Sequence, residues 1–278
     1  MQVGMRRALL LIQISRPIVW PVLPLVYALG LHAARAPLST SGIVQMVLLT
    51  FPMNLVGCGL NDIYDYESDR RCPRRRAIWG AVVRAQDRAF IGRASLVMIP
   101  LMVLGACLTR NWQNIVATVS LVLIAWLYSV PPVRLKERPP LDSLANGLGY
   151  FLLPFVMGYS LGADPGSMPL RYYLLALCTG GVHALATAAD YEADRAAGHR
   201  TLAVAFGRRT AGAVAFAAFA LTWLLGDFHS TAVRIYIAGC ALATFIAALF
   251  PRDHVIVAAC TVVFVGFLIT GTCYLFGW

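Results

Sequence analysis

The acidic stretch that follows the apolar run 43–60 contains residue types that can bind a metal ion. It begins at Asn61 and places Asp62, Asp65 and Asp69 three and four residues apart. In a helix these spacings bring the three carboxylates onto one face, because residues three and four apart are neighbours on a helix surface. Like charges so close together repel each other and need a counter-charge. Mg²⁺ meets that need, since it prefers carboxylate oxygens and the oxygens of substrate phosphates.

A second acidic stretch repeats the first. The six residues from Asp65 read Asp-Tyr-Glu-Ser-Asp-Arg, and the six from Asp190 read Asp-Tyr-Glu-Ala-Asp-Arg, again after an apolar run. Asp194 therefore lies one helical turn after Asp190, as Asp69 lies after Asp65. A solvated acidic helix end would explain either stretch alone, but not the repetition in a chain with so few charged residues. We expect both clusters to bind Mg²⁺ and, through it, a substrate diphosphate.

Basic residues around the two acidic stretches are candidates for binding the diphosphate directly. Arginine suits this role, because its planar fork donates to two phosphate oxygens at once. Lys136 is the only lysine in the chain, and a compact ammonium also suits a phosphate. Membrane topology and attraction to lipid headgroups would place basic residues in the same loops, so we weigh both explanations. The candidates are Arg70, Arg74, Arg134, Lys136, Arg195 and Arg200.

The composition predicts an integral membrane protein. Of the 278 residues 59% are hydrophobic and 13% are charged, and the mean hydropathy is +0.70. A soluble domain cannot bury that much apolar surface and keep a wettable exterior. The net charge of +10 would suggest nucleic acid in a soluble protein, but the positive-inside rule explains it here, so we expect no nucleic-acid partner. The seven cysteines show no paired spacing and predict neither disulfides nor a zinc site.

Nine apolar segments predict transmembrane helices, each near the roughly 20 residues that cross a bilayer. They are 17–34, 43–60, 90–108, 112–130, 143–162, 170–189, 210–226, 232–250 and 254–276. The predicted fold class is all-α, in a single transmembrane domain over 1–278. The first segment also resembles a signal peptide that ends near Ala34, but we prefer a retained span, because the internal repeat needs it.

The predicted topology places both acidic stretches on one side of the membrane. Most of the 23 Lys and Arg residues fall on that side, which is therefore the cytoplasmic side of a cell membrane. Each acidic stretch ends a span that runs inward, and these two spans, the second and the sixth, are four apart. We therefore expect two parallel four-helix repeats, about 17–130 and 143–250, with a ninth helix at about 254–276, around a central cavity bordered by membrane lipid.

Polar and aromatic side chains in or beside the spans are candidates for lining this cavity. Hydrogen bonds between helices would equally explain the polar ones. Aromatic rings can also shield a carbocation, because their faces attract positive charge. The candidates are Tyr64, Tyr128, Asn146, Tyr150, His183 and Thr187.

These motifs resemble those of the UbiA superfamily of intramembrane prenyltransferases. The second family motif is matched in its shorter form by Asp190 and Asp194, with Thr187 where the longer form has its first aspartate. Segments 128–136 and 198–204 also resemble family sequences. The first family motif, Asn-Asp-x-x-Asp-x-x-x-Asp, is matched completely by Asn61, Asp62, Asp65 and Asp69.

The resemblance implies a fold of nine transmembrane helices and the transfer of a prenyl group from an isoprenyl diphosphate to a lipophilic acceptor. It also implies Mg²⁺ as the cofactor. The catalytic residues and metal ligands would be the five aspartates of the two motifs, and Asn61 would help them to hold the metal. The implied catalytic residues are Asp62, Asp65, Asp69, Asp190 and Asp194.

The loops favour one branch of that superfamily. Quinone-pathway members usually carry Arg-Pro after the first motif, whereas this chain reads Arg-Arg-Cys-Pro from Arg70. That loop and segment 136–147 are similar to lycopene elongases, which implies a carotenoid acceptor such as lycopene. Prenylation of an aromatic quinone precursor is the alternative with the same chemistry. A membrane transporter is the more distant alternative, because parallel repeats also occur in transporters.

Overall fold

This computed structural model describes residues 2–66, 69 and 80–277, and the described residues form helices and no strand. The all-α prediction is thereby confirmed. Short 3₁₀ turns at Pro17–Val19, Ala85–Asp87, Leu135–Glu137 and Pro165–Ser167 and a π-helical turn at Leu148–Leu152 lie between or beside the α-helices. The α-helices are α1 (Gln2–Ile14), α2 (Val22–Ala33), α3 (Thr40–Leu48), α4 (Phe51–Tyr64), α5 (Arg88–Cys107), α6 (Trp112–Ser129), α7 (Leu141–Gly147), α8 (Leu153–Tyr159), α9 (Leu170–Ala189), α10 (Tyr191–Ala197), α11 (Leu202–Phe206), α12 (Arg208–Leu225), α13 (Thr231–Leu249) and α14 (Asp253–Leu275).

Six helical stretches within the described ranges are long and apolar enough to cross a membrane. They are Thr40–Tyr64, Ala85–Cys107, Trp112–Ser129, Leu170–Ala189, Thr231–Leu249 and Asp253–Leu275. A pair bent by 47°, Gly4–Ile14 with Pro17–Ala33, makes a seventh if it is one span. The protein is therefore a multi-pass membrane protein.

Two predicted spans are helical but fall outside this set. Segment 143–162 is divided among α7, the π-helical turn and α8. Segment 210–226 lies in α12, which begins with Arg208 and Arg209 and is therefore less apolar over its length. The total of nine spans remains a prediction.

The helices group into two compact units, and the first comprises Met1–Arg134 and Leu153–Ala163. Within it α2 packs along α8, and α4 packs against α5 and α6. Within this unit the helix of segment Leu153–Ala163 packs against α2 and α6, and the division into repeats at about 17–130 and 143–250 stays a prediction.

Two glycines set the distance between α2 and α8. A β-carbon at Gly30 would lie 2.2 Å from the carbonyl oxygen of Phe155, and one at Gly158 would lie 2.1 Å from that of Tyr27. Neither position therefore has room for a side chain. Small residues allow such close approach of backbones, which is a main source of helix association in membranes.

A buried polar network joins four helices of the first unit. The Tyr27 hydroxyl on α2 donates to Gln45 Oε1 on α3 at 2.9 Å, and Gln45 Nε2 donates to Asn114 Oδ1 on α6 at 2.6 Å. Asn114 Nδ2 donates to the carbonyl of Met157 on α8 at 2.7 Å. Because buried polar groups are costly unless they are hydrogen-bonded, this network favours one arrangement of the four helices.

The second unit comprises Leu135–Leu152 and Asp164–Trp278 and is built around α9. Helix α9 packs against α7, α12 and α14, while α13 packs against α12 and α14. A β-carbon at Gly147 on α7 would lie 2.5 Å from the carbonyl oxygen of Ala176, and one at Gly180 on α9 would lie 2.8 Å from that of Ser143. This close crossing brings the start of α7 beside the middle of α9.

Replacing Gly158 by leucine should destabilise the protein, because the new side chain overlaps the backbone of α2. Overpacking of this kind costs about 1–3 kcal/mol or more. Thermal unfolding in detergent should show a clearly lower Tm. The matched control is Gly239→Ala on α13, where an added β-carbon meets no atom within 4 Å. That change should leave Tm unchanged or raise it slightly. Equal melting of the two variants would contradict the close α2–α8 crossing.

Candidate active site

The first acidic stretch begins in the last turn of α4 and extends past its C-cap residue, Asp65. The backbone N–H of Asp65 donates to the carbonyl of Asn61 at 3.1 Å, and that of Asp69 donates to the carbonyl of Asp65 at 2.9 Å. Each of these bonds spans four residues, as one helical turn does. The exposed fractions are 0% for Asp62, 7% for Asp65 and 3% for Asp69. Three carboxylates are thus buried within a few residues, which demands compensating positive charge.

Two arginines of the first unit supply part of that charge. Arg16 donates to Asp62 Oδ1 at 2.5 Å, and Arg134 lies 3.4 Å from Asp65 Oδ1 and from the carbonyl oxygen of Tyr64. Arg16 has a left-handed backbone with φ of 52°, where the chain turns from α1 into the next 3₁₀ turn. Arg134 was predicted from the sequence as a site residue, whereas Arg16 was not. No local pattern relates Arg16 to an aspartate 46 residues away.

The carboxylate set of the first unit is chemically suited to Mg²⁺. Within the described part of the chain no three acidic, His or Cys side chains converge tightly enough to hold one ion by themselves. Mg²⁺ usually binds through one or two carboxylates and completes its six ligands with water and substrate phosphates. Asp62, Asp65 and Asp69, all buried and acceptor-only when ionised, fit that mode of binding.

The second acidic stretch begins where α9 ends. Asp190 lies between α9 and α10, and the backbone N–H of Asp194 donates to its carbonyl at 2.9 Å, so one turn separates the two half-buried aspartates. The side chain of Thr187 bonds to backbone groups instead of pairing with the aspartates. Its hydroxyl donates to the carbonyl of Ala184 at 2.7 Å and accepts from the N–H of Ala203 at 3.2 Å. In this structure Thr187 therefore joins the start of α11 to α9.

The loop that carries Lys136 is fastened by two bridges within the second unit. Lys136 is buried, with 6% exposure, in the turn Leu135–Glu137. Beside it, His199 Nδ1 lies 2.6 Å from Glu137 Oε1. Asp142, which is fully buried, accepts from the N–H of Leu202 at 2.9 Å. Both bridges join the Lys136 loop to the segment that follows the second acidic stretch.

These bridging residues were not among the site residues predicted from the sequence. The position of Asp142 at the start of α7 was a usable signal, because acidic residues favour helix N-termini. Glu137 and His199 gave no such signal, since they lie 62 residues apart.

The other predicted site residues differ in their exposure and in their hydrogen-bond partners. Arg195 and Arg200 are exposed, and the Arg195 guanidinium lies 6.0 Å from the ring centroid of Tyr191. Tyr64 is exposed, whereas Tyr128, Asn146 and Tyr150 are half-buried. Asn146 Nδ2 donates to the carbonyl of Asp142 at 3.0 Å, and His183 Nδ1 lies 3.3 Å from Ser143 Oγ. Arg70 and Arg74 lie outside the described residues.

A model of the UbiA prenyltransferase family matches residues 19–268. The chain belongs to this family. The resemblance seen in its motifs is thereby confirmed, and the enzyme class that follows is prenyltransferase, with a lipophilic acceptor.

Two relatives of this UbiA protein act in carotenoid biosynthesis, as their names state. It is 30% identical over 249 residues to the lycopene elongase/hydratase of Haloferax volcanii, covering 86% of this chain and 77% of that one. It is 28% identical over 200 residues to the C(50) beta-cyclic carotenoids biosynthesis protein LbtBC of Dietzia sp.. That match covers 71% of this chain and only 46% of the relative, so the UbiA chain spans about half of LbtBC.

The fold of this UbiA protein matches that of a solved homologue. The structure of a UbiA homologue from Archaeoglobus fulgidus, bound to DMAPP and Mg²⁺, superposes with a TM-score of 0.69. The match covers 96% of this chain and 99% of that chain, at 19% identity. This likeness supports the all-helical membrane fold.

Breaking the Glu137–His199 bridge should expose Lys136, because the bridge holds the turn in which this lysine is buried. Lys136 is the only lysine of the chain, so an amine-reactive reagent reports on this loop and otherwise only on the N-terminus. Glu137→Gln and His199→Gln should each speed acylation of Lys136 several-fold, measured by peptide mass spectrometry. The double variant should be no faster than the faster single variant, because both changes remove the same interaction.

The control for this experiment is Asp227→Asn, which removes the partner of a surface histidine. Asp227 and His229 are 3.8 Å apart, with side chains that are 81% and 83% exposed. Such exposed pairs contribute little. An equal acylation rate in this control and in His199→Gln would show that the bridge does not hold the Lys136 loop.

Proposed function

We propose that this protein transfers a prenyl group from an isoprenyl diphosphate to a carotenoid acceptor such as lycopene, with Mg²⁺ as the cofactor. The observation that carries the proposal is the burial of Asp62, Asp65 and Asp69 at the end of α4 and just beyond it, with Arg16 beside Asp62 and Arg134 beside Asp65. The membership in the UbiA family supports prenyl transfer. The carotenoid acceptor is supported by the lycopene elongase/hydratase relatives and by the loop sequences.

Both acidic stretches are proposed to serve the donor diphosphate. Asn61 and the aspartates of the two stretches would hold Mg²⁺, which when bound supplies positive charge against the departing diphosphate. Support for the metal comes from the carboxylate chemistry and from the homologue structure with DMAPP and Mg²⁺. The proposed metal ligands are Asn61, Asp62, Asp65, Asp69, Asp190 and Asp194.

We propose that Arg16 and Arg134 exchange their carboxylate partners for diphosphate oxygens when the substrate binds. Without substrate, Arg16 neutralises Asp62 and Arg134 lies beside Asp65. A metal cation on those carboxylates would repel the guanidinium groups, which can then donate to diphosphate oxygens. Lys136 would add a compact positive charge in the same role. Arg70, Arg74, Arg195 and Arg200 remain further candidates for diphosphate contacts.

The acceptor side of the reaction needs an apolar environment. Loss of the diphosphate leaves an allylic cation at C1 of the donor, and the π electrons of an alkene in the acceptor attack that carbon. Tyr64, Tyr128 and Tyr150 are proposed to shield the positive charge. A polyene requires little more than apolar surface, which α12 and α14 supply in quantity. We further propose a cell-membrane location with the acidic stretches at the cytoplasmic side, as the distribution of basic residues indicates.

The two acidic stretches should both be indispensable. Asp65→Asn and Asp190→Asn keep the size of the side chain and remove a charged oxygen ligand, so each should lower turnover at least about 100-fold. Chelation with EDTA should stop the wild-type reaction, and added Mg²⁺ should restore it. Product should be measured with purified protein whose Tm is unchanged.

Asp227→Asn is the control, because Asp227 is an exposed loop residue. It should leave turnover unchanged. Near wild-type turnover of either active-site variant, or full activity in rigorously chelated buffer, would refute the proposed metal-dependent mechanism.

The acceptor can be tested in two kinds of cell. Cells that make lycopene should accumulate longer or hydroxylated carotenoids when they express this protein. Cells blocked in quinone prenylation should stay blocked. Restored quinone in the second experiment, with lycopene untouched in the first, would overturn the carotenoid assignment in favour of an aromatic acceptor.

A further inference from the structure

His183 is an ionisable side chain within the membrane span α9, two turns before the second acidic stretch begins. His183 precedes Thr187 by four residues and Asp190, which caps the end of α9, by seven, spacings that place the three positions on one face of that helix. Asp190 follows His183 by seven positions, or about 10 Å along the helix axis. His183 therefore lies deeper in the membrane span than the proposed diphosphate site, and on the same helical face.

The neighbours of His183 hold its ring in a polar environment. Its Nδ1 lies 3.3 Å from the hydroxyl oxygen of Ser143, a residue with 5% exposure at the start of α7. The close crossing of α7 and α9 at Gly180 brings the two residues together. Asp142 and Asp190 interact electrostatically with the ring.

The contact between Ser143 and His183 has a structural and a functional explanation. A hydrogen bond between helices would account for Ser143 and His183 without any role in the reaction. A hydroxyl or an amide does that work without an ionisable group, however, and ionisable residues within membrane spans are costly and usually functional. The position of His183, about 10 Å from the acidic stretch along one face, favours the functional explanation.

The proposed reaction needs a proton acceptor at such a position. When an alkene attacks C1 of the donor, a C–C bond forms, the C–O bond to diphosphate breaks, and a positive charge remains on an acceptor carbon. That charge is removed by loss of a proton from a neighbouring carbon, or by addition of water and loss of a proton from it. Either route releases one proton, a few bonds away from the diphosphate.

We propose that His183 accepts this proton through Nε2 and that Ser143 positions its ring. This inference rests on the proposed function. In the tautomer whose Nδ1–H donates to Ser143 Oγ, the lone pair is on Nε2. The C–H bonding electrons then become the new double bond, or the water oxygen keeps the electrons of its O–H bond, and the imidazole becomes imidazolium. The imidazolium later loses its proton to solvent, which completes the cycle.

The test separates ionisation of the donor from completion of the product. Diphosphate release, prenyl alcohol and prenylated carotenoid are measured in one reaction of purified protein with lycopene and a labelled prenyl diphosphate. His183→Gln keeps a hydrogen-bonding side chain but removes the base, so carotenoid product should fall about 100-fold. Diphosphate release should change less than about tenfold, with prenyl alcohol as the side product. Ser143→Ala should lower product less and shift the ratio of hydrated to unsaturated carotenoid.

Two control variants and a chemical rescue distinguish loss of the base from loss of folding. Thr179→Val changes a residue one turn before His183 on α9, and His254→Gln changes one at the exposed start of α14. Both variants should leave all three products unchanged. Added imidazole should restore carotenoid product in His183→Ala but not in Asp190→Asn, because only the first variant lacks a base. Absence of rescue, in a variant that still releases diphosphate, would count against the proposal.

The possible failures are distinguishable. A wild-type protein that forms no prenylated carotenoid would overturn the proposed acceptor. An active wild type, with normal amounts and ratios of carotenoid from His183→Gln, would overturn the role of His183 alone and leave the prenyl transfer standing.

Discussion

The burial of negative charge at the end of α4 and just beyond it is the constraint on which the rest of this protein depends. Removing an ion from water costs several kcal/mol even after the protein relaxes, and Asp62, Asp65 and Asp69 are all nearly inaccessible. Arg16 and Arg134 offset that cost within the first unit. The acidic stretch is therefore stable only with cations beside it, whether they are guanidinium groups or metal ions. The proposed ligand, a diphosphate with its metal, would bring such cations to the site.

In the second unit, two polar bridges hold the turn that carries the buried Lys136. Lys136 is buried in a short turn, and the Glu137–His199 and Asp142–Leu202 bridges tie that turn to the chain after Asp194. The bridges fix the turn against the segment that follows Asp194. Thr187 has a comparable structural role, since its hydroxyl satisfies the backbone where α9 meets α11.

Close backbone crossings allow polar groups to meet inside an apolar protein. Gly30 and Gly158 bring α2 and α8 together, and the Tyr27–Gln45–Asn114 network shares the same unit. Gly147 and Gly180 do the same for α7 and α9 and thereby place Ser143 beside His183. Such packing matters more in a bilayer than in water, because lipid tails give little hydrophobic drive to helix association.

The sequence alone determined the features that depend on local periodicity and composition. The membrane class follows from the hydropathy, and the alignment of Asp62, Asp65 and Asp69 follows from 3.6 residues per helical turn. The motifs also sufficed to identify the UbiA family, which the family match confirmed. The roles of the individual site residues, and the total of nine spans, stay predictions.

Only the tertiary structure decided which distant residues meet. It paired Arg16 with Asp62 and Glu137 with His199, assigned Thr187 to the backbone, and packed Leu153–Ala163 in the first unit. The physical reason is that these contacts join residues tens of positions apart in the chain. Helical periodicity fixes what lies on one face of one helix, whereas side-chain size at the crossings and the compensation of buried charge select the partner.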